Sequence, residues 1–255
     1  MEIEIKKAIR AGNSSAVILP RAWLSKEVRV ELVKKTPEKM LLEVLNIAKK
    51  YLDLKTIIGI YLAGSYARNE ENEESDIDVL IITNDVDREI IKEGMYNILI
   101  ISEELLKQKL ENDLFPIGQM IREGRALINE KYLGNLRIKV TKKNIEWYIK
   151  TTKEKLELIK RILNKAGKRI DNKVVYTLIL RIRTLYIIQN MIKNKDYSNK
   201  EFIRLIANLS GTKNAYDSYL AIKNETKKPN ITAKEEAEKL AVYLEKQLSD
   251  LQKRF

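Results

Sequence analysis

The chain has 255 residues, 44% of them hydrophobic, so it can bury more than one core and is not a disordered chain. It contains neither cysteine nor histidine, which excludes disulfides, thiolate or imidazole metal ligands, and a histidine general base. The net charge of +12 is uneven: basic and acidic side chains number 8 and 4 in residues 1–35, 11 and 19 in 36–130, and 29 and 13 in 131–255. This distribution suggests parts with different partners, the alternative for the C-terminal part being lysine-rich helices with solvated faces.

Short strands are predicted for residues 1–35. Ile3 and Ile5 alternate with charged residues, residues 16–19 form an apolar run that stops at Pro20, and residues 28–33 alternate again. A turn is predicted over residues 10–15, where glycine and asparagine tolerate a positive φ. So small a piece cannot bury a sufficient core alone, so we expect it to pack on the rest of the chain or to pair with a copy of itself.

Residues 36–140 read as an α/β unit. A helix is predicted from about Thr36, followed by near-continuous apolar runs at 56–62, 77–82 and 96–101. Such runs are typical of strands buried on both faces, and helical patterns at about 86–93 and 102–111 separate them. We therefore expect a sheet flanked by helices.

Helical patterns dominate residues 141–255. They cover roughly 143–166, 172–194, 199–209, 213–225 and 232–253. The expected fold class is α+β: a small β module at 1–35, an α/β domain with a mixed sheet at 36–140, and an all-helical bundle at 141–255.

Two polar motifs stand at the ends of buried strands. Gly64-Ser65 follows the first strand, and a helix starting at Ser65 would aim free N–H groups at the turn and seat a phosphate. Asp76 and Asp78 begin the next strand and share one face, with their Cα atoms about 6.5–7 Å apart. Two carboxylates so placed can hold Mg²⁺ together with phosphate oxygens. The simpler alternative is that the two aspartates only cap a strand end.

Gly64-Ser65 followed after ten residues by Asp76-Ile77-Asp78 resembles the minimal nucleotidyltransferases of the DNA polymerase β superfamily. The resemblance covers roughly residues 40–130. It implies that Gly64 and Ser65 bind a nucleoside triphosphate, expected to be ATP, and that Asp76 and Asp78 bind Mg²⁺ and serve catalysis. The implied reaction transfers a nucleoside monophosphate to a hydroxyl on a protein or an RNA.

Three further segments extend this resemblance: residues 68–70, 102–105 and 122–127. Within the first, Arg68 and Glu70 are expected to form a structural ion pair.

One departure from that family concerns its third carboxylate. Residues 95–101 contain no acid, and Asn97 occupies the expected position. A neutral amide cannot accept a proton from a nucleophile. Triphosphate binding should therefore persist, whereas transfer should be slow or absent. The alternative is a third acid from elsewhere, with candidates at Asp85, Asp87 and Glu103.

Residues 6–33 resemble the swapped-hairpin DNA-binding modules of AbrB and MazE type, on the positions 11–14, 17, 19–20, 23–24 and 28–30. The resemblance implies a homodimer in which DNA phosphates meet four basic side chains: Lys6, Lys7, Arg10 and Arg21. The alternative is a β-hairpin lid on the transferase domain.

Residues 219–223 and 231–237 give the C-terminal part a likeness to the HEPN and substrate-binding bundles that accompany minimal nucleotidyltransferases. The HEPN nuclease motif needs a histidine, which the chain lacks, so that nuclease activity is excluded.

Two functions follow from these features. The first is an Mg²⁺-dependent nucleotidyltransferase with a dimerising, DNA-binding N-terminal module. The second is a non-catalytic antitoxin-like or transcription-regulatory DNA-binding protein that only binds nucleotide.

No apolar run is long enough to span a bilayer and the N-terminus is not a signal peptide, so we expect a cytoplasmic protein without a membrane partner.

Overall fold

A computed structural model describes residues 4, 6, 8–30, 35–72, 75–223 and 232–255. The chain divides into two compact units, Met1–Thr36 and Pro37–Phe255. The second unit contains a five-stranded mixed sheet and a large helical part. The α+β class predicted from the sequence is therefore confirmed.

The first unit contains a small hairpin. Strand β1 (Ile9–Ala11) pairs antiparallel with β2 (Ser14–Ala16), and Gly12 has a φ of +61° in the turn. Of the predicted apolar run 16–19, only Ala16 lies in a strand, at the end of β2, and residues 17–19 form none. A 3₁₀ turn, Arg21–Trp23, follows.

The other strands predicted for this unit fare differently. Residues 28–30 form no strand, so the strand prediction for 28–33 is wrong over that part. Residues 31–34, like Ile3 and Ile5, lie outside the described residues.

The second unit is built on one sheet. Helix α1 (Pro37–Ala48) precedes strand β3 (Ile57–Ala63), a single helical turn α2 (Gly64–Ala67) and strand β4 (Ile77–Thr83). Strands β5 (Arg88–Glu93), β6 (Tyr96–Ser102) and β7 (Arg125–Ile128) complete it in the order β5-β6-β4-β3-β7. The β4–β6 pair is parallel and the other pairs are antiparallel.

The prediction of a helix at 86–93 is wrong, since this segment contains β5. Its composition is mostly charged, which resembles an exposed helix, but it pairs antiparallel with β6 at the edge of the sheet. Charged side chains suit an exposed edge because they discourage pairing with another chain. Gly94, with a φ of +61°, allows the tight turn into β6.

Successive side chains of β4 point to opposite faces of the sheet, so the strand contributes to two hydrophobic cores, one on each face. Ile77, Val79 and Ile81 pack in the cluster that includes α1. Leu80 and Ile82 pack on the opposite face, in the cluster that includes helices α3 (Glu103–Asn112) and α4 (Ile117–Arg122). Asp78 falls in the register of this second set, at the end of the strand where the apolar core stops.

Helix α5 (Glu130–Asn135) leads into the C-terminal helices, which match the predicted ranges closely. They are α6 (Lys142–Lys165), α7 (Asn172–Ile192), α8 (Asn199–Ser210), α9 (Asn214–Lys223) and α10 (Lys234–Arg254). A two-residue strand pair, β8 (Arg169–Ile170) with β9 (Thr232–Ala233), departs from the all-helical prediction. Side chains of Thr141, Asp171 and Ser198 cap the starts of α6, α7 and α8.

Helix α7 is the centre of the bundle, and its buried side chains contact the other helices. Leu114, which follows α3, packs in the same core, so sheet and bundle share one compact unit. None of the described helices is both long enough and apolar enough to cross a membrane.

Candidate active site

The two aspartates and Asn97 lie side by side where β4 and β6 begin. Asp78 is opposite Asn97 in the parallel ladder. The Nδ2 of Asn97 donates to Asp78 Oδ1 at 3.2 Å and to Asp76 Oδ2 at 3.3 Å. The structure therefore brings together three side chains that sequence reasoning placed on one surface, and the amide lies between both carboxylates.

Gly64 brings the end of β3 against this pair. Ala63 is opposite Asp78 in the antiparallel β3–β4 ladder, and Gly64 has a φ of +66°. A Cβ atom on Gly64 would lie 2.3 Å from Asp78 Oδ2. Only glycine meets both demands, because any side chain would collide with the carboxylate in a backbone conformation that already disfavours side chains.

The turn itself differs from the expectation of free N–H groups. Helix α2 has only four residues, too few for a substantial dipole, and it begins at Gly64 rather than at Ser65. The backbone N–H of Gly64 donates to Glu123 Oε1 at 2.7 Å. A carboxylate from the loop after α4 thus occupies the donor expected to bind a phosphate. Ser65 follows in α2, half-buried.

The electrostatics of the pair favour a bound cation. Loss of hydration raises the pKa of Asp78, the Asn97 hydrogen bond opposes this shift, and the charges of Asp76 and Glu123 add to it. A divalent ion would offset this concentrated negative charge, and two carboxylates offer the hard oxygen ligands that Mg²⁺ prefers. The residues present therefore fit Mg²⁺, with phosphate and water oxygens completing its shell.

Over the described part of the chain, no group of three acidic side chains is placed to hold a metal. Of the alternative third acids, Asp87 accepts from the Ser102 N–H at 2.6 Å, and Glu103 accepts from the Tyr132 hydroxyl at 2.9 Å. Ser102 ends β6, five residues beyond Asn97 and so about 17 Å away along the strand. Asp85 lies two residues after Thr83, where β4 ends, and so at the end of the strand away from Asp78. The structure does not bring these three acids to the aspartate pair.

The bundle contacts the motif through Arg68. Its Nε donates to Glu70 Oε2 at 2.9 Å, which is the expected ion pair, and its Nη1 donates to Glu123. The guanidinium lies over the Tyr197 ring, 5.0 Å from the centroid. Glu70 also accepts from the backbone N–H of Asn199 at 3.1 Å, at the start of α8. Helix α8 is therefore hydrogen-bonded to the loop that follows α2.

Lys223, the last residue of α9, adds a cation near the acids. Loss of hydration and the charge of Arg183 lower the pKa of Lys223, while Asp78 and Asp76 oppose the shift. The amine is thus within electrostatic reach of both aspartates. Sequence reasoning included Glu123 and Lys223 in segments that carry the resemblances, 122–127 and 219–223, but gave neither a role at the site, because each is distant in sequence from the two motifs.

The four basic residues expected to meet DNA belong to the first unit. Arg10 and Arg21 are exposed, and Lys6, also exposed, forms an ion pair with Glu4 at 2.7 Å. Lys7 lies outside the described residues.

Residues 42–200 match the nucleotidyltransferase domain family, and the chain belongs to that family. The match begins after the N-terminal hairpin and ends within α8. Membership supports nucleotidyl transfer as the general activity.

Comparison with solved structures finds similarity to a nucleotidyltransferase-like protein from Exiguobacterium sibiricum 255-15. The two share 14% sequence identity with a TM-score of 0.36, over 83% of this chain and 75% of that chain. No curated protein matches significantly.

Proposed function

We propose that this protein transfers a nucleoside monophosphate from a nucleoside triphosphate, with ATP as the donor, to a hydroxyl on a protein or an RNA, and that it uses Mg²⁺. The observation that carries the proposal is the approach of the Gly64 backbone to the Asp78 carboxylate. It supports the proposal because the turn assigned to phosphate binding lies beside the two acids assigned to Mg²⁺, an arrangement that suits in-line displacement at phosphorus.

The chemistry follows from this arrangement. Mg²⁺ held by Asp76 and Asp78 would supply positive charge to the α-phosphate and the departing pyrophosphate. The acceptor oxygen forms a bond to the α-phosphorus as the bond to the bridging oxygen of the β-phosphate breaks. The acceptor proton needs a base, and Asn97 offers none. Glu123 is already paired with Arg68, so the proton passes to solvent and transfer is slow.

The position of a radioactive label tests the reaction type. Protein, Mg²⁺ and heat-inactivated cell extract are incubated with ATP labelled at the α-phosphate or at the γ-phosphate, and with the other three α-labelled triphosphates. We expect Mg²⁺-dependent label in protein or RNA only from the α-position, and most strongly from ATP. Incorporation from the γ-position would indicate phosphoryl transfer instead and would refute the proposal.

A regulator that binds nucleotide without transfer is the less favoured alternative. Its support is Asn97 alone, whereas the family is one of transferases and both metal-ligating acids are present. The label experiment separates the two, since the regulator incorporates nothing from any triphosphate.

We further propose that residues 1–35 join two copies of the chain and that the resulting module contacts DNA. Large apolar side chains are exposed in the first unit: Ile18 is 68% exposed, Leu24 78% and Val30 73%. A second hairpin covering them would supply the core that the unit lacks alone.

Deleting residues 1–35 should convert a dimer into a monomer that still binds nucleotide. Multi-angle light scattering of the full chain and of the deletion measures this directly, with Leu24→Glu as a full-length variant that should also weaken dimerisation. A monomeric full-length chain would contradict the proposal.

DNA binding should fall steeply with salt because it depends on phosphate contacts.

A further inference from the structure

Glu123 holds the phosphate-binding turn in a way the transfer reaction does not need. Its Oε1 accepts from the Gly64 N–H at 2.7 Å, and its Oε2 accepts from Arg68 and from Gln119 Nε2 at 3.3 Å. The side chain is only 8% exposed. Each oxygen therefore bonds a group that would otherwise attract a phosphate oxygen.

The Arg68 charge beside this carboxylate is not free to bind an incoming anion. Arg68 is shared between Glu123 and Glu70, so the three side chains together carry one net negative charge. An approaching phosphate would find the Gly64 donor occupied and the adjacent Arg68 guanidinium already neutralised. Two carboxylates, Asp78 and Glu123, flank the Gly64 backbone.

We infer that Glu123 is an internal competitor for the phosphate seat, and that a triphosphate occupies the seat only after this carboxylate has left the Gly64 N–H. The inference rests on the proposed function, since that assigns Gly64 to phosphate binding. Affinity is then lowered by the fraction of molecules in which the seat is closed. Glu123 thereby raises the triphosphate concentration at which half of the sites are occupied.

A structural brace would act in the opposite direction. If Glu123 only holds Gly64 in place, weakening its bond should loosen the turn and reduce affinity. If it competes, weakening the bond should raise affinity. Glutamine distinguishes the two, because it keeps the length and an acceptor oxygen but loses the charge that strengthens the bond.

The test is calorimetry with inorganic tripolyphosphate, with and without Mg²⁺, on the full chain. We expect Glu123→Gln to bind about tenfold more tightly than wild type, the change expected when a charge-assisted bond becomes a neutral one. Glu70→Gln is the matched control, since it removes the same charge from Arg68 without touching the Gly64 N–H. Its affinity should change much less.

Three results would overturn the inference: unchanged or weaker binding in Glu123→Gln, an equal gain in both variants, or no binding of tripolyphosphate to either. An equal gain would show that overall charge matters and the Gly64 donor does not. Tripolyphosphate cannot donate a nucleotide, so the inference stands or falls separately from the transfer reaction.

A second measurement on wild type covers the case in which Glu123→Gln does not fold. The nine glycines of the chain give few signals when labelled with ¹⁵N, and Gly64 is assigned through its coupling to the ¹³C-labelled carbonyl of Ala63, with Gly12→Ala and Gly167→Ala identifying the two other glycines that follow an alanine. Tripolyphosphate should shift the Gly64 amide signal as the carboxylate is replaced. A Gly64 signal that stays in place while others move would show binding without displacement of Glu123, contrary to the inference.

Discussion

Replacing either Asp76 or Asp78 with alanine is expected to lower Mg²⁺-dependent affinity for ATP at least about tenfold, since each change removes one of the two carboxylates proposed to hold the metal, and among the described residues no group of three acids is placed to hold it instead. Transfer should fall to background in both variants, because the charge that stabilises the leaving pyrophosphate is lost. Calorimetry measures the affinity, and label from the α-phosphate measures the transfer.

The matched control is Asp85→Ala. It removes an exposed carboxylate beyond the other end of β4 and so changes net charge equally without touching the pair. Its affinity should equal that of wild type. Unchanged affinity in both Asp76→Ala and Asp78→Ala would rule out the assigned metal site, whatever the transfer assay shows.

Asn97→Asp is expected to accelerate transfer by about 10²–10⁴-fold, the usual contribution of a positioned base. The side chain is already in the right place, because its amide nitrogen lies 3.2 Å from Asp78 Oδ1 and 3.3 Å from Asp76 Oδ2. A carboxylate there would add a third ligand for Mg²⁺ and accept the proton of the acceptor hydroxyl. Affinity for ATP should rise less than the rate does.

Single-turnover rates for wild type, Asn97→Asp and Asn97→Ala decide the matter. A slow wild type, an equally slow Asn97→Ala and a fast Asn97→Asp would support a missing base. Rapid wild-type transfer that survives Asn97→Ala unchanged would contradict it and require a base from another group.

Metal-free Asn97→Asp should also be less stable to heat than wild type, since three carboxylates then repel one another.

Local patterns were sufficient for the helices of the bundle. The predicted range 172–194 and helix α7 (Asn172–Ile192) differ by two residues at one end, because Asp171 is a strong cap and the apolar face is continuous. The segment 88–93 shows the opposite case. Its own residues favour a helix, and only pairing with β6 makes it a strand, which no local pattern records.

The same contrast divides the site. Gly64 and Asp78 belong to a motif whose spacing is visible in the sequence, so their approach could be foreseen. Glu123 reaches Gly64 across 59 residues because β7 pairs with β3 and sets Arg125 opposite Leu62. Lys223 depends on how the bundle packs. Contacts of this kind follow from the arrangement of elements, and a single sequence does not contain that arrangement in readable form.

The antiparallel pairing of β3 with β4 has a consequence for how such proteins are found. Ala63 lies opposite Asp78, so hydrogen bonds between the strands set the distance from the glycine turn to the acids. The ten residues between Ser65 and Asp76 do not set this distance, although Arg68 and Glu70 among them contact Glu123 and the start of α8. The length of this connection is therefore not fixed by the distance between the turn and the acids, and a longer loop costs little entropy. A search that demands this one spacing would overlook proteins with a longer or shorter loop. A search for a strand that ends at a glycine, beside a strand that begins with paired acids, would find them.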